Sequence, residues 1–543
     1  MRRFSSYGPV NKKTNYYVPR EELINHALIQ LVGENPDEGG HYITTWAPRQ
    51  TGKSWIMQQI LWILQKDERF DVLKINLEHL KMEEDVNYIL SVIGKEILKD
   101  LNKEIISTDS PDSPDSPDNF QNIFEKSILD KPLILILDEF DALAEDAISA
   151  IVGVFRNIYN INKDQSHLPV EKRKYLLHSV SLIGVRSVLG IENAKGSPFN
   201  VQRSLHIPNL TFEEVESMFR WHETESDQRV DQEVIEKLYY ETKGQPGLTC
   251  WFGELLTEGW EEFRVNPDMP MDMKLFRKAY AAATQILPNN NILNIISKAK
   301  QEPYKALILD MFRTDHKTNF KHDDFMHNFL YMNGVIDRED TQYDNDDENY
   351  HIKFPCPFVQ KRLFNYFANE ITGYVGKLYE PFEDLDDAID DNSLNVRNIM
   401  KRYKTYLIKN RGWLLKNAPR RTDLKIYEAV FHFNLYMYLS SFMTDFDGEV
   451  YPEFPTGNGK IDLIIKYEGK TYGIELKTYK NRSEYKKALI KAAHYGKQLS
   501  LKEISLIFFV ESIDDESRKI YEIDFDDKET GVRVEVIFVE MGE

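Results

Sequence analysis

The sequence contains very little cysteine. Only Cys250 and Cys356 occur among its 543 residues, and no CxxC pair is present. Neither a disulfide framework nor a structural zinc site is therefore indicated, and a reducing, cytoplasmic setting is expected. At about 150 residues per domain, a chain of this length predicts three or four domains.

Long apolar runs are also missing. No uncharged apolar stretch in the sequence reaches the length that a bilayer-spanning helix needs. The first residues, MRRFSSYGPVNKK, carry charges but have no apolar segment behind them, unlike a secretory signal peptide. We therefore expect no membrane partner.

Acidic residues outnumber basic ones, with 88 Asp and Glu against 68 Lys and Arg. The formal net charge is −20, which argues against a protein that coats nucleic acid over its whole surface. The stretch 401–421 is a local exception because it contains no acidic residue. It is a candidate phosphate-contacting surface; the alternative is an ordinary solvated helix face.

The N-terminal part alternates between strand and helix patterns. Apolar residues at helical spacing predict a helix at 21–33, and another is expected from Lys53 to about Gln65. The repeat STDSPDSPDSPD at 107–118 has nothing to bury and is expected to be a disordered surface loop. The strand candidates are 42–46, 72–80, 132–140 and 178–185. This alternation predicts an α/β fold with a parallel sheet.

The segment 47–54 reads APRQTGKS and comes close to the Walker A pattern G-x-x-x-x-G-K-[ST]. Ala47 replaces the first glycine, while Thr51 and the three residues that follow it match the pattern. Gly52 would let the backbone approach the phosphates, Lys53 would reach the β- and γ-phosphates, and Ser54 would ligate Mg²⁺. A strand before the loop and a helix after it favour phosphate binding. The sequence therefore predicts an ATP site.

An apolar strand that ends in two acids predicts the second half of this site. LILILDEF ends in Asp138 and Glu139, and it has a Walker B form. Asp138 would hold Mg²⁺ through water, and Glu139 would orient and polarise the attacking water. Two surface acids at a strand end are common, but two matched motifs in this order weaken that alternative.

These motifs resemble those of AAA+-related ATPases of the STAND and archaeal-ATPase type. YYVPREEL at 16–23 resembles the adenine-side hhGRE motif of that group, with Pro19 where glycine is usual. SLIGVRS places Arg186 where such ATPases carry a sensor arginine, although Arg186 could instead cap the strand or pair with an acid. The resemblance implies that Arg20 and Arg186 belong to the nucleotide site.

The resemblance extends over about residues 1–370 and also implies domains. TKGQPGL at 242–248 resembles the G-x-P motif of the helical lid in these ATPases. A small helical region that ends in a hairpin-like piece and a further helix has the form of a winged helix. Proteins of this type often form rings or signal-induced assemblies, so the resemblance implies a homo-oligomer or a partner subunit.

A second group of candidate residues lies near the C-terminus. The segments 461–467 and 471–477 read as two strands joined by a short turn. Because side chains alternate along a strand, Glu475 and Lys477 share one face, and Asp462 on the paired strand can lie near them. The two carboxylates would hold a divalent metal, and the lysine would position or deprotonate a water. An exposed strand face with a salt bridge is the alternative.

Asp462 followed by Glu475-x-Lys477 resembles the core of the PD-(D/E)XK nuclease superfamily over about residues 395–543. This family tends to carry a further acid on the preceding helix, and Glu428 is the candidate, with Glu453 as the alternative. The family's helix with Q-x₃-Y has no match, because Lys491 stands where the glutamine would be, four residues before Tyr495.

Together the two resemblances imply an ATP-regulated, Mg²⁺-dependent nuclease in which Mn²⁺ could substitute. The expected substrate is DNA, because similar nuclease domains mostly cut DNA, with RNA as the alternative. The fused architecture resembles prokaryotic ATPase–nuclease proteins, some of which are linked to defence against mobile DNA. Two other functions stay open, an ATP-dependent oligomeric scaffold or sensor that binds nucleic acid without cutting it, and an ATP-using protein remodeller.

The predicted fold class is α/β, with a P-loop parallel-sheet ATPase followed by a restriction-endonuclease-like domain. The expected regions are the ATPase core at 1–208, a helical lid at 209–289, a winged helix-like domain at 290–375, an acidic linker at 376–394 and the nuclease domain at 395–543.

Overall fold

The computed structural model describes most of the chain, and the chain divides into two compact units. The described residues are 2–103, 114–184, 202–312, 318–339, 350–373, 375–376, 378–379, 383–414, 418–420, 426–455, 460–479 and 481–540. The first unit comprises Met1–Ile295, Lys321–Asp337 and Pro355–Pro357, and the second comprises Ile296–Phe320, Arg338–Phe354 and Phe358–Glu543. No helix in the described ranges has the length and apolar character that crossing a membrane requires.

Strands and helices are numbered in chain order. The strands are β1 (Tyr42–Trp46), β2 (Asp71–Asn76), β3 (Leu133–Asp138), β4 (Leu177–Gly184), β5 (Gln202–His206), β6 (Gly259–Trp260), β7 (Phe263–Arg264), β8 (Asp337–Glu339), β9 (His351–Lys353), β10 (Ile389–Asp390), β11 (Ser393–Leu394), β12 (Glu449–Pro455), β13 (Lys460–Tyr467), β14 (Lys470–Thr478), β15 (Glu503–Val510), β16 (Phe525–Asp526) and β17 (Arg533–Glu540). The helices are α1 (Glu21–Val32), α2 (Lys53–Leu64), α3 (Val86–Asp100), α4 (Pro117–Asn122), α5 (Glu145–Asp164), α6 (Phe212–Ser226), α7 (Gln232–Thr242), α8 (Pro246–Thr257), α9 (Met273–Gln285), α10 (Asn290–Ala299), α11 (Tyr304–Met311), α12 (Phe325–Met332), α13 (Pro357–Thr372), α14 (Val396–Leu414), α15 (Glu428–Thr444), α16 (Arg482–Gln498) and α17 (Asp515–Tyr521).

The first unit is built on a five-stranded parallel sheet in the order β2-β3-β4-β1-β5. Helices α1 and α2 pack on one face, and α3, α4 and α5 pack on the other. Along β3, Leu133, Leu135 and Leu137 enter one core while Ile134 and Ile136 enter the other. Burial on both faces explains the continuous apolar run. The predicted α/β fold with a parallel sheet is confirmed.

The structure of this unit differs from two expectations drawn from the sequence. The strand expected at 72–80 ends at Asn76, and a short 3-10 turn covers Glu78–Leu80. Residues 107–113 of the Pro/Asp/Ser repeat lie outside the described residues, but its end is ordered. Ser116 caps α4 by accepting a hydrogen bond from the Asn119 amide, and Pro117 occupies the first helical position. The expectation of disorder is therefore wrong for these last residues, because serine and proline form a good helix start.

The region expected to be a lid is helical. It contains α6, α7, α8 and α9 and a short β6–β7 hairpin. Thr211 begins α6 with a reciprocal capping box to Glu214, which fixes where the lid starts. The segment before α1 packs here too, since Phe4 is buried against Phe219 and Gly253.

The region 290–375 has the element order expected of a winged helix. It runs α10, α11, α12, β8, β9 and α13, with β8 and β9 paired as a two-stranded sheet. These elements are divided between the two compact units, so the predicted domain boundaries do not follow the structural division. The winged-helix interpretation stays a prediction.

The second unit contains a six-stranded mixed sheet in the order β12-β13-β14-β15-β17-β16. The pairs β12–β13 and β13–β14 are antiparallel, whereas β14–β15 and β15–β17 are parallel. Helices α14 and α15 cover one face and α16 covers the other. Glu468 and Gly469 both have positive φ, 45° and 70°, which fits a two-residue type I′ turn. The hairpin predicted here is present.

The segment expected to act as an acidic linker is partly built into this unit. Strands β10 and β11 form a small hairpin within it. Ala388, Ile389 and Leu394 are buried in the core formed by α14, α15 and the sheet. A run of acids surrounds these apolar residues in the sequence, so composition alone hid their contribution to the core.

Candidate functional site

The phosphate loop joins the end of β1 to the start of α2. Gly52 is the N-cap of α2, with φ 88° and ψ 17°. This left-handed conformation is strained for any residue with a Cβ, so glycine is needed here although open space surrounds the position. Lys53 and Ser54 then form the first turn of the helix, where backbone N–H groups favour anions.

The Lys53 side chain folds back onto the phosphate loop that precedes it. Its Nζ donates to the carbonyl oxygens of Ala47 at 2.8 Å and Pro48 at 2.9 Å. The Thr51 hydroxyl also donates to the Pro48 carbonyl, at 2.9 Å. Burial lowers the pKa of Lys53 to about 8, although the nearby carboxylates of Glu139, Asp141 and Asp138 oppose this shift. A phosphate would give this buried ammonium a stronger partner than the two carbonyls.

Asp138, at the end of β3, connects the loop to the neighbouring strand. The Ser54 hydroxyl donates to Asp138 Oδ1 at 3.3 Å, and the Glu139 amide donates to the same oxygen at 3.1 Å. The other oxygen, Oδ2, lies 2.9 Å from the ammonium of Lys74. Lys74 was missed by sequence reasoning, and the available signal was its place in the neighbouring strand β2, two residues before that strand ends.

Glu139 and Asp141 add further negative charge. Burial, followed by the charges of Asp141 and Asp138, raises the pKa of Glu139. Asp141 lies against Gly184 at the end of β4, where a Cβ would come within 2.6 Å of its Oδ1. Asp141 was also missed from the sequence, although it stands two residues after Glu139. Arg186, the predicted sensor arginine, lies outside the described residues.

The Arg20 side chain, just before α1, contacts the segment that leads into the lid. Its guanidinium donates to the carbonyls of Pro208 at 2.7 Å and Asn209 at 3.3 Å, and its Nε lies 3.4 Å from Glu214 Oε1. Burial lowers its pKa, while the charge of Glu214 opposes this. These contacts tie the start of α1 to the start of α6; an adenine-side role for Arg20 stays a prediction.

The lid also contacts the phosphate loop directly. The Gln245 side-chain amide donates to the carbonyls of Arg49 at 3.0 Å and Gln50 at 3.3 Å. The Gly247 amide donates to the Gln50 carbonyl at 2.9 Å, and a Cβ at Gly247 would collide with the Gln50 side chain. Sequence reasoning identified the Gly244–Pro246 motif but not these hydrogen bonds.

The C-terminal group lies where β13 and β14 separate. The paired register between the two strands runs from Tyr467–Lys470 to Leu463–Ile474. Just beyond it, the Asp462 carboxylate accepts a hydrogen bond from the Leu476 amide at 2.6 Å. Lys477 Nζ lies 3.0 Å from Glu475 Oε1 and also donates to the Leu476 carbonyl at 3.0 Å. The structure therefore brings Asp462, Glu475 and Lys477 together as expected from the sequence.

Two residues of α15 extend this group. The sequence candidate Glu428 is buried in the first turn of the helix, and His432 follows one turn later. His432 Nδ1 lies 3.8 Å from Asp462 Oδ1, and His432 Nε2 lies 3.9 Å from Glu428 Oε1. His432 was missed from the sequence; its i+4 spacing from Glu428 was the available signal. The side chain of Glu453, the alternative acid, lies outside the described part.

The electrostatics of this group are dominated by burial. Glu475 is 0% exposed, and its burial, followed by the charge of Asp462, raises its pKa to about 7. The charges of Lys477 and Lys491 oppose this shift, so Lys491 acts on the same carboxylate as Lys477. Across the described ranges, no cluster of three or more His, Cys, Asp or Glu is arranged to hold a metal ion.

The basic stretch lies largely on α14, and part of its charge is already paired. Arg402 contacts Glu383 and Asp387, and Lys404 contacts Glu540. Lys401 and Lys409 are exposed on the same helix. The cationic surface available to a phosphate is therefore smaller than the sequence suggested.

A family model matches the N-terminal part of the chain. Residues 5–258 match the model described as an AAA-like domain, which supports the ATPase part of the predicted resemblance. The match includes both Walker motifs and ends within the lid, and it does not extend to the C-terminal unit. No curated protein is significantly similar to the chain.

Several solved structures resemble part of the chain at low identity. The Walker-type ATPase PABY2304 of Pyrococcus abyssi has a TM-score of 0.40 and 14% identity, covering 66% of this chain and 99% of its own. The ORC2 protein of Aeropyrum pernix has a TM-score of 0.37 and 14% identity, covering 66% and 96%. The RuvB Holliday junction branch migration motor of Thermotoga maritima has a TM-score of 0.32 and 11% identity, covering 59% and 90%. Such weak similarities carry no argument about function.

Proposed function

We propose that this protein is an ATP-regulated, metal-dependent nuclease. The observation that carries the nuclease part is the meeting of Asp462, Glu475 and Lys477 at the point where β13 and β14 separate, with two buried carboxylates and an ammonium within reach of one another. Two adjacent buried carboxylates destabilise each other when both are ionised, and a divalent cation would relieve that repulsion.

The N-terminal unit would bind and hydrolyse ATP. Gly52 and Thr51 would shape the loop around the phosphates, and Lys53 would transfer its ammonium from the Ala47 and Pro48 carbonyls to the phosphate oxygens. Ser54 and Asp138 lie 3.3 Å apart and offer the hard oxygen ligands that Mg²⁺ prefers.

Glu139 would act as the general base in this hydrolysis. It directly follows Asp138, and burial together with the neighbouring acids raises its pKa, which makes it a better proton acceptor. Arg20 and Arg186 stay the proposed adenine-side and sensor residues.

The donor set at the second site fits a hydrated Mg²⁺ or Mn²⁺. Asp462 and Glu475 would hold the ion, and two carboxylates are enough because Mg²⁺ usually keeps several waters. When bound, the ion would stabilise charge on the phosphate and make a water more acidic. Lys477 would orient that water, and Glu428 with His432 would hold Asp462 in place.

The proposed substrate is DNA. Exposed cations of α14, including Lys401 and Lys409, would contact its phosphates, and their small number fits a local groove on an acidic protein. A homo-oligomer or a partner subunit would be needed if ATP controls cleavage through assembly. A role in prokaryotic defence or mobile-element processing is part of this proposal.

Cleavage of linear and circular DNA with Mg²⁺ or Mn²⁺, with and without ATP, tests the proposal. Glu475→Ala should abolish cutting and leave ATP hydrolysis intact, whereas Lys53→Ala should remove the ATP dependence. Glu484→Ala is the matched control, since Glu484 also pairs with a lysine at 3.0 Å but on an exposed helix face. ATP hydrolysis with DNA binding but no cutting under any metal would favour a non-cleaving scaffold instead.

A further inference from the structure

Lys74 is a half-buried cation beside the nucleotide site. It belongs to β2, its side chain is 16% exposed, and its Nζ lies 2.9 Å from Asp138 Oδ2. The strand register places Lys74 beside Ile136 and Asn76 beside Asp138, so the lysine side chain reaches along the strand to the acid. Neither Walker motif contains this residue.

The ion pair divides the two oxygens of Asp138 between different partners. Oδ1 accepts from the Ser54 hydroxyl and the Glu139 amide, while Oδ2 faces Lys74. The oxygen on the side of Ser54 would serve a cation, and the other oxygen is already neutralised. A carboxylate with an ammonium at this distance is a weaker ligand for a second cation, because like charges repel strongly in a poorly solvated site.

We propose that Lys74 prevents a divalent cation from binding at Ser54 and Asp138 until a nucleotide supplies its phosphates. This inference rests on the proposed ATP site. Lys53, Lys74, Asp138, Glu139 and Asp141 carry two positive and three negative charges, a small local excess that does not attract a free divalent ion strongly. Nucleotide phosphates add several negative charges, and metal and nucleotide then bind together.

Removing the charge of Lys74 should therefore create a metal site in the nucleotide-free protein. Mn²⁺ binding to the full chain, measured by electron paramagnetic resonance without nucleotide, gives a readout that needs no activity. All variants carry Glu475→Gln, so that the C-terminal carboxylates do not contribute. Lys74→Met should bind Mn²⁺ at least about tenfold more tightly than its parent, because it leaves a buried carboxylate uncompensated.

Four further variants make the assignment specific. Lys74→Gln keeps a hydrogen-bond donor without the charge and should show the same gain, which covers the case in which Lys74→Met folds poorly. Lys74→Arg keeps the charge and should bind Mn²⁺ no better than the parent. Adding Asp138→Asn to Lys74→Met should abolish the gain. Lys174→Met is the matched control, since Lys174 pairs with Glu125 at 3.3 Å just before β4, at the end of the parallel strands opposite the nucleotide site.

The outcomes separate this inference from the proposed function. ATP binding that depends on Lys53, with Mn²⁺ affinity unchanged in Lys74→Met and Lys74→Gln, would overturn the role of Lys74 and keep the ATP site. If the increase in Mn²⁺ affinity of Lys74→Met persisted after Asp138→Asn was added, the role of Lys74 would also be overturned. If the parent binds no ATP at all, the proposed function fails, whatever the Mn²⁺ result.

Discussion

Replacing Glu475 with glutamine should stabilise the C-terminal sheet far more at alkaline than at acidic pH. Burial raises the pKa of this carboxyl to about 7, from an ordinary value of 4.5 in an unfolded chain. At pH values between about 4.5 and about 7, the Glu475 carboxyl is ionised in the unfolded chain but keeps its proton in the folded chain. The folded state therefore loses stability as the pH rises through this range, and glutamine removes that loss.

The size of the effect follows from the two pKa values. One pKa unit corresponds to about 1.4 kcal/mol, so ionising Glu475 costs about 1 kcal/mol of stability at pH 5 and about 3 kcal/mol at pH 8. The difference of about 2 kcal/mol equals a change of about 30-fold in an opening equilibrium. Contributions from other titrating groups largely cancel when the variant is compared with wild type at each pH.

Hydrogen exchange of the β15 amides measures this opening locally and does not require the two units to unfold together. The ratio of protection in Glu475→Gln to that in wild type should rise steeply between about pH 5 and pH 8. Mg²⁺ at the higher pH should raise protection in wild type only, since the variant lacks the ionised ligand. Glu484→Gln, on an exposed face, should show a ratio that is flat with pH. A flat ratio for Glu475→Gln would refute the reasoning.

Three further predictions concern the nucleotide site and the proposed DNA surface. Gly52→Ala should strain the loop by about 1–2 kcal/mol, because φ is 88° there, and calorimetry should show ATP binding weakened at least about tenfold. Gly153→Ala, at an open helical position, should leave ATP binding unchanged. ATP binding at about pH 8.5 should take up about three quarters of a proton, because the pKa of Lys53 is about 8 in the free protein. Calorimetry in two buffers of different ionisation enthalpy measures this proton uptake, and Lys53→Arg should abolish it. Lys401→Ala and Lys409→Ala should each reduce by about one unit the slope of log affinity for DNA against log salt concentration, measured in anisotropy titrations. Arg397→Ala should instead lower thermal stability, because Asp524 and Glu535 hold its guanidinium.

Local patterns were sufficient to predict the frame of both sites. The loop between β1 and α2 follows from a strand, a glycine-lysine-serine turn and an amphipathic helix that are adjacent in the chain. The β13–β14 hairpin follows from two apolar strands joined by a turn with glycine. In each case the elements that position the candidate residues are neighbours in sequence, so periodicity and turn chemistry specify them.

Contacts between distant segments could not be predicted in this way. Lys74 reaches Asp138 only because β2 and β3 pair in one particular register, and 64 residues separate the two. His432 meets Asp462 because α15 packs over the sheet. The Gln245 contact with the phosphate loop joins residues about 195 positions apart. Each of these contacts is fixed by tertiary packing, and periodicity along the chain does not specify which distant residues will meet.

The two-residue turn between β13 and β14 would make the proposed nuclease activity sensitive to a change in the length of that turn. Successive side chains of a strand point to opposite faces, so slipping β14 by a single residue against β13 would turn Glu475 and Lys477 away from Asp462. Glu468 and Gly469 hold the register because their left-handed conformations permit only a tight connection. A one-residue insertion there would leave every residue of the proposed nuclease site in the gene and still separate them in space. Sequence comparison that checks only for Asp462, Glu475 and Lys477 would score such a protein as intact.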